Sequence, residues 1–355
     1  MHDLATLGWT SFFQDQLDPA TDAGLVPARV IEEQRRRCRL LAESGELEGE
    51  VTGRMRHEAQ SGGLMPVTGD WVLARVADAG RAVVQRVLRR RTQFSRRAAG
   101  KREEEQIVAT NVDVVFLVQS LDRDFNARRI ERYMTLLWES GAQPVVLLSK
   151  SDLCGNPDAF VGDAVGVASG APVHVVSAVD EGGLLPLDPY LAPGRTCSFV
   201  GSSGVGKSTI VNRLAGQELM PTGGLRADGR GRHTTTTRRI HVLPGRGLLL
   251  DTPGMREIGL WEGELGISQA FPEIEQLGEK CRFRDCSHEA EPGCAVRHAV
   301  QAGDIPESRY ESFLKLRAEL NFEARRADPA LRAEERRRWR AIHKSQRSRP
   351  DKREV

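Results

Sequence analysis

The residues whose types and spacing could do chemistry fall into three groups, and the first binds phosphate. Gly201-Ser202-Ser203-Gly204-Val205-Gly206-Lys207-Ser208 fits G-x-x-x-x-G-K-[ST], with an apolar run at 197–200 before it and a helical pattern at 209–214 behind. In such a strand, loop and helix the glycines let backbone N–H groups turn toward phosphate. Lys207 then brings positive charge to the β- and γ-oxygens, the Ser208 hydroxyl ligates Mg2+, and Thr209 opens the helix whose N-terminus meets the anion. Asp251-Thr252-Pro253-Gly254 follows an apolar run at 248–250, which sets Asp251 at a strand end to hold the metal through water and leaves Gly254 free to turn toward a γ-phosphate. Between them, Gly229-Arg230-Gly231-Arg232-His233-Thr234-Thr235-Thr236-Thr237 has the glycines and hydroxyls of a switch loop, in which a threonine reaches the metal. Thr236 is assigned that contact because it lies four residues before Ile240, the expected start of the next strand, and Thr235 is the neighbouring alternative.

The second group selects a base and the third holds a metal. Ser149-Lys150-Ser151-Asp152, after an apolar run at 145–148, resembles N-K-x-D: the Asp152 carboxylate accepts the N1–H and N2–H of guanine and the Lys150 stem covers the ring, whereas adenine offers no such donor pair. Ser149 replaces Asn, which on sequence grounds weakens the contact to the base edge and the tie to the phosphate loop, and so affects affinity more than base choice. Ser177-Ala178, at the end of the next run, resembles the short loop that backs guanine with a main-chain N–H. Cys281-x4-Cys286-x-His288-x5-Cys294 supplies three thiolates and one imidazole, a closed tetrahedral set of the kind one structural Zn2+ takes. With four positions filled none is open for catalysis, so the ion reads as folding energy for a small domain. Cys38, Cys154 and Cys197 lie in or beside apolar runs and read as core.

These groups need elements to position them. Apolar runs at 112–118, 145–149, 173–177, 196–200 and 248–251 have the pattern of strands buried on both faces of a parallel sheet, and Ile130, Tyr133, Met134, Leu137 and Trp138 form one helical stripe ending near Gly141. In Ras-like GTPases the phosphate loop comes first and the guanine motif last. Here 149–152 and 177–178 precede 201–208 and 251–254, so residues 103–265 are expected to be an α/β, circularly permuted Ras-like P-loop GTPase domain that takes GTP/GDP with Mg2+. A permuted sheet keeps its contacts because only the connections change.

Ahead of it, β patterns at 25–31, 35–41, 47–55, 70–77 and 81–90 predict a five-stranded OB-type β-barrel over 25–102, preceded by an N-terminal extension, 1–24. Residues 81–102 hold nine Arg/Lys and no Asp or Glu, with Phe94 among them; a phosphate-tracking surface and a charge-protected strand edge are both open readings. Residues 266–323 read as a small zinc-binding α-helical domain and 324–355 as a basic helix or tail. The tail carries twelve Lys/Arg against five Asp/Glu, so a net charge of +2 conceals an acidic body.

A composition of 39% hydrophobic and 28% charged residues excludes general disorder. No window approaches the ~20 apolar residues of a membrane span, the start lacks a signal-peptide pattern, and six cysteines are too sparse for a disulfide scaffold. A cytoplasmic monomer without membrane attachment is expected.

The permuted order, the basic small barrel ahead and the Cys-x4-Cys-x-His-x5-Cys cluster behind resemble the RsgA (YjeQ) small-ribosomal-subunit biogenesis GTPases of bacteria, over residues 25–300. Pro66-Val67-Thr68-Gly69-Asp70-Trp71-Val72 resembles that family's barrel signature, and Arg232-His233-Thr234-Thr235-Thr236 its switch. The resemblance implies hydrolysis of GTP to GDP and phosphate stimulated by the small (30S) ribosomal subunit. It further implies late subunit maturation, contact with 16S rRNA through both flanking domains, and release of other assembly factors. It also suggests His233 as a water-positioning or proton-accepting residue, because Met255 follows Gly254 where Ras-like enzymes carry a glutamine. Two other classes remain open. A GTP-dependent RNA-binding scaffold with little hydrolysis is favoured by Met255, and an ATP-dependent P-loop kinase is opposed by Asp152 and the cysteine cluster.

Overall fold

The structure is a computed structural model and describes residues 2–34, 37–59, 63–78, 80–97, 105–122, 125–202, 204–220, 238–251, 267, 270–284 and 286–327. The chain divides into two compact units, residues 1–96 with 105–258 and residues 97–104 with 259–355.

In the first unit, a 3-10 turn at Leu4–Leu7 and helix α1 (Ser11–Gln14) precede strands β1 (Val26–Glu33), β2 (Arg37–Ala42), β3 (Gly45–Val51), helix α2 (Gly53–Ala59), β4 (Trp71–Asp78) and β5 (Arg81–Val87). β1, β2 and β3 form an antiparallel meander, β3 pairs with β5 in parallel, β5 with β4 antiparallel, and β4 returns to β1. This closed circuit, with a helix between the third and fourth strands, is the expected OB-type barrel. The strand expected at 47–55 stops at Val51. Thr52 Oγ1 accepts the Met55 N–H at 3.1 Å and Met55 is buried, so 53–59 is a helix whose apolar contact lies four residues from Val51. The strand expected at 81–90 ends at Val87, where the Leu88 N–H turns to the Trp71 carbonyl.

The extension 1–24 contributes to the core. Leu7 and Phe13 are fully buried, and the rings of Trp9 and Phe13 lie 4.8 and 5.8 Å from that of Trp71. The buried Arg29 donates to the carbonyls of Leu7 (2.5 Å) and Asn111 (2.9 Å); burial pushes its pKa down to about 10, which still leaves it charged at neutral pH.

The segment 66–72 is a seam. The buried Asp70 carboxylate accepts from the Val67 N–H (2.9 Å), Thr110 Oγ1 (2.7 Å) and two nitrogens of the buried Arg90 (2.8 Å each). Gly69 has φ +104°, and a Cβ there would sit 2.1 Å from the Thr110 carbonyl oxygen. The arginines expected to face solvent after residue 80 are mostly engaged: Arg86 with Asp22 (2.5 Å), Arg91 with Asp113, Arg81 with Asp78 (2.5 Å), and Arg89 over the Phe12 ring. These pairs give the cations of 81–91 partners within the fold, as the charge-protected reading expects, while the side chains of Arg81 and Arg86 stay exposed.

β6 (Gln93–Arg97) and β7 (Glu105–Thr110) form a two-stranded sheet that leads into the nucleotide half. There β8 (Val114–Ser120), α3 (Ala127–Glu139), β9 (Gln143–Ser149), α4 (Asp158–Val167), β10 (Val173–Val175), β11 (Thr196–Val200), α5 (Lys207–Ala215), β12 (Arg239–Val242) and β13 (Leu248–Asp251) follow. The sheet order is β10-β9-β8-β11-β13-β12, parallel except for β12. Every residue of β8 and β11 is buried, which explains their unbroken apolar runs. Ile130, Met134 and Leu137 of α3 are fully buried, while Tyr133 and Trp138 pack at the margin. β12 also pairs with barrel strand β1, Arg239 opposite Glu32, so barrel and nucleotide sheet are continuous.

In the second unit, α6 (Pro272–Gly278), α7 (Ala295–Ala302) and α8 (Glu307–Ala327) surround Phe271 and Phe313, whose rings meet edge to face at 5.5 Å. Helix α8 passes the expected boundary at 323, and residues 328–355, Trp339 included, lie outside the described residues. Among the described residues no helix is long and apolar enough to cross a membrane.

Candidate functional site

Parallel strands deliver their C-termini to one edge of a sheet, and ligands bind there. β11 ends at Val200, and Gly201 (φ +138°) opens the loop where a Cβ would lie 2.2 Å from the Val118 carbonyl oxygen of β8. Gly206 (φ +98°) caps α5, which begins at Lys207 and carries Ser208 and Thr209 in its first turn. Three side chains hold the loop. Lys207 Nζ donates to the carbonyls of Gly201 (2.8 Å) and Ser202, Arg129 Nη1 donates to Ser202 Oγ (2.7 Å), and Ser149 Oγ donates to the Val205 carbonyl (2.6 Å). The tie to the phosphate loop that the motif's Asn would make is here made by Ser149. β9 brings the hydroxyl close enough to Val205 for the shorter side chain to make the tie directly.

The guanine loop is built next to it. Lys150 adopts φ +60°, and its ammonium pairs with Asp122 (3.0 Å), whose other oxygen accepts from Ser120 Oγ (2.9 Å). Asp152 Oδ1 accepts from Ser177 Oγ (2.9 Å), and Ser177 Oγ in turn accepts the N–H groups of Val179 (3.2 Å) and Asp180 (3.1 Å). The loops after β9 and β10 are thereby knitted together, with Ala178 half-buried between their contacts. Asp251 closes β13, opposite Arg239. Ser203, Gly204's neighbour in the loop, lies outside the described residues, as do His233, Thr236, Gly254 and Met255.

Sequence reasoning missed Asp122, Ser120 and Arg129. They belong to the strand and helix between the guanine strand and the phosphate strand, a placement that only strand order reveals.

In the second unit the ligand atoms of Cys281, Cys286, His288 and Cys294 all lie within 4.8 Å of one another. Cys281 Sγ is 3.9 Å from Cys294 Sγ, and His288 Nδ1 is 3.6 and 3.4 Å from those sulfurs. A tetrahedron with Zn–S of ~2.3 Å and Zn–N of ~2.0 Å has edges of ~3.8 and ~3.5 Å, so the donor set fits such an ion. Backbone N–H groups of Ala295 and Arg297 point at Cys281 Sγ (3.3 Å) and Cys294 Sγ (3.5 Å), as thiolates require. Burial, and then the Arg317 guanidinium, hold His288 below the ordinary imidazole value and so favour the neutral, ligating form. His288 itself sits at φ +59°, and Tyr310 OH donates to its carbonyl (2.5 Å).

A parallel sheet with a P-loop, whose guanine loops come earlier in the chain yet lie beside that loop in space, defines a circularly permuted GTPase. Residues 87–261 match the model of the RsgA GTPase family. The small ribosomal subunit biogenesis GTPase RsgA of Opitutus terrae is 46% identical over 98% of this chain and 97% of its own, and the Streptomyces avermitilis protein of the same name is 42% identical over 95% and 91%. The solved structure of YjeQ from Thermotoga maritima superposes with a TM-score of 0.64 at 26% identity, covering 83% of this chain and 98% of that one. YloQ, described as a circularly permuted GTPase, shares the fold with a TM-score of 0.62, covering 86% of this chain and 98% of that one. This chain belongs to the RsgA GTPase family. Membership makes it a GTP hydrolase and implies GTP/GDP with Mg2+ as its ligands.

Proposed function

We propose that this protein hydrolyses GTP to GDP and phosphate while bound to the small (30S) ribosomal subunit, in the cytoplasm, and acts late in that subunit's maturation. The observation that carries the nucleotide part is the junction of 149–152 with 201–208, closed by the 2.6 Å bond from Ser149 to Val205. The ribosomal part is supported by the names of relatives that match nearly the whole chain.

In this reading Lys207 and the loop N–H groups of Gly201, Ser202, Ser203, Gly204, Val205 and Gly206 bind the phosphates. Ser208 and Thr236 hold Mg2+, with Asp251 reaching it through water and Gly254 reporting the γ-phosphate. Asp152 reads the guanine edge, Lys150 covers its face, and Ser177-Ala178 backs it. His233 orients the attacking water, a task for which Met255 has no hydrogen-bonding group. Cys281, Cys286, His288 and Cys294 hold one structural Zn2+ that supplies folding energy to 266–323. The basic tail 324–355 and the metal-bearing domain contact 16S rRNA, and the barrel, 25–102, contributes shape more than free charge. Displacement of another assembly factor would follow subunit maturation.

The test is GTP turnover at fixed salt with purified small subunits, large subunits, or neither, and with ATP as the competing nucleotide. Stimulation by small subunits alone, with no response to ATP, is expected. A basal rate with every subunit, alongside intact GTP binding, would withdraw the ribosomal assignment and favour the low-turnover scaffold.

A further inference from the structure

Lys150 is held at both ends. Its backbone takes the left-handed conformation, φ +60°, which a lysine adopts only where its surroundings impose it, and its carbonyl accepts the Leu153 N–H (3.0 Å) that closes the 3-10 turn Ser151–Leu153 behind it. The far end of the side chain is held by a residue 28 positions away: Nζ donates to Asp122 Oδ2 at 3.0 Å.

Asp122 is itself fixed in place. Its Oδ1 accepts from Ser120 Oγ (2.9 Å), and Ser120 is buried opposite Ser149 in the register of β8 with β9. The intervening Leu121 N–H donates to the Ser149 carbonyl (2.9 Å). The end of β8 is therefore locked to the residue immediately before Lys150, and strand pairing carries the carboxylate to the ammonium.

Stability does not account for the pair. Asp122 and Lys150 keep 37% and 30% of their side-chain surface exposed, and ion pairs with that much access to water contribute little to folding. Their effect is to remove freedom. The flexible four-carbon stem of a lysine loses its rotamers when it lies along a base, and a carboxylate that already holds the ammonium takes that loss out of the binding step.

We propose that Asp122 is a positioning residue for guanine recognition, holding Lys150 Nζ so that the stem stands ready to cover the base. The proposal rests on the base-covering role given to Lys150 above.

The experiment compares GDP, inosine diphosphate and inorganic tripolyphosphate as ligands of the full chain, of Asp122→Ala, Asp122→Asn and Lys150→Ala, and of the double variant, over a series of salt concentrations. Asp122→Ala is expected to weaken GDP and inosine diphosphate about fivefold each, since both bases offer the same ring face, and to leave the base-free tripolyphosphate unchanged. Asp122→Asn, which keeps an oxygen for the ammonium, should fall between parent and Asp122→Ala. The loss should shrink as salt rises, because an exposed ion pair is screened and a packing contact is not. In the Lys150→Ala background, Asp122→Ala should cost nothing further. Unchanged GDP affinity for Asp122→Ala overturns the proposal. So does tighter binding, which would mean that Asp122 keeps Lys150 away from the base, and so does an equal loss in both backgrounds, which would make Asp122 a support of the fold. If Lys150→Ala itself binds GDP as the parent does, the base-covering reading of Lys150 fails first, and the two failures are told apart by that variant alone.

Discussion

Two arginine clusters of this protein look alike in sequence and differ in what they touch. Residues 86–91 hold four arginines, and the structure engages them with Asp22, Phe12, Asp70 and Asp113, joining the N-terminal segment, the barrel and the nucleotide half. Arg282 and Arg284 stand exposed beside an exposed phenylalanine, Arg282 over its ring as Arg89 is over that of Phe12, with no carboxylate against them among the described residues. The difference teaches that a basic run marks a surface only if its counter-charges are elsewhere. In the seam they come from residues 20 to 64 positions away in the chain, where composition cannot show them.

The largest effect that would sharpen this contrast is removal of the Zn2+ proposed for the cysteine cluster. Structural Zn2+ contributes on the order of 10 kcal/mol in small domains, so a strong chelator, or Cys294→Ser, should abolish amide protection across 270–327 and leave GDP binding by the first unit intact. Hydrogen exchange reads both. Protection that survives chelation would mean that loop 281–286 is held by packing alone.

Next in size is the seam itself. Asp70→Ala strands the buried Arg90 and should cost about 3–5 kcal/mol in denaturant unfolding, whereas the double variant with Arg90→Ala should lose less than the two single losses combined. A small loss for Asp70→Ala would break the comparison, since the seam arginines would then be dispensable to the fold.

Ser149→Ala removes the bond to Val205 and should weaken GDP binding about tenfold, in line with ~1–1.5 kcal/mol for one hydrogen bond. The preference for GTP over ATP should persist, because Asp152 and Ser177 are untouched; a competition titration measures both. Smallest of all, Arg81→Ala breaks an exposed pair with Asp78 and should leave the unfolding midpoint where it was.

Much of this was readable from sequence where the chemistry is local. The phosphate loop, the guanine loop and the clustered Cys281, Cys286, His288 and Cys294 each lie within a short stretch of chain, and strands β11 and β13 begin and end where their apolar runs do. What escaped reading depends on distant partners. Phe13 packs against Trp71 and Leu7 joins the same buried cluster, so a segment that read as an extension is core. Helix α2 read as the end of a strand because Val51 and Met55 fit either period. Arg129 and Asp122 reach the nucleotide loops only because β8 lies between β9 and β11. Ser149 looked like a loss because the motif specifies a residue type, whereas the bond depends on how closely β9 approaches Val205.

The contrast between the two clusters has one direct measurement: the salt dependence of single-stranded RNA binding by the full chain and two double variants, Arg282→Ala with Arg284→Ala, and Arg81→Ala with Arg89→Ala. The account predicts that the metal-loop pair lowers the slope of log affinity against log salt by about 1.4 and that the barrel pair leaves it unchanged. Equal reductions, or a larger one from the barrel pair, would contradict it, because arginines engaged within the barrel would then be neutralising RNA as much as those beside Phe283.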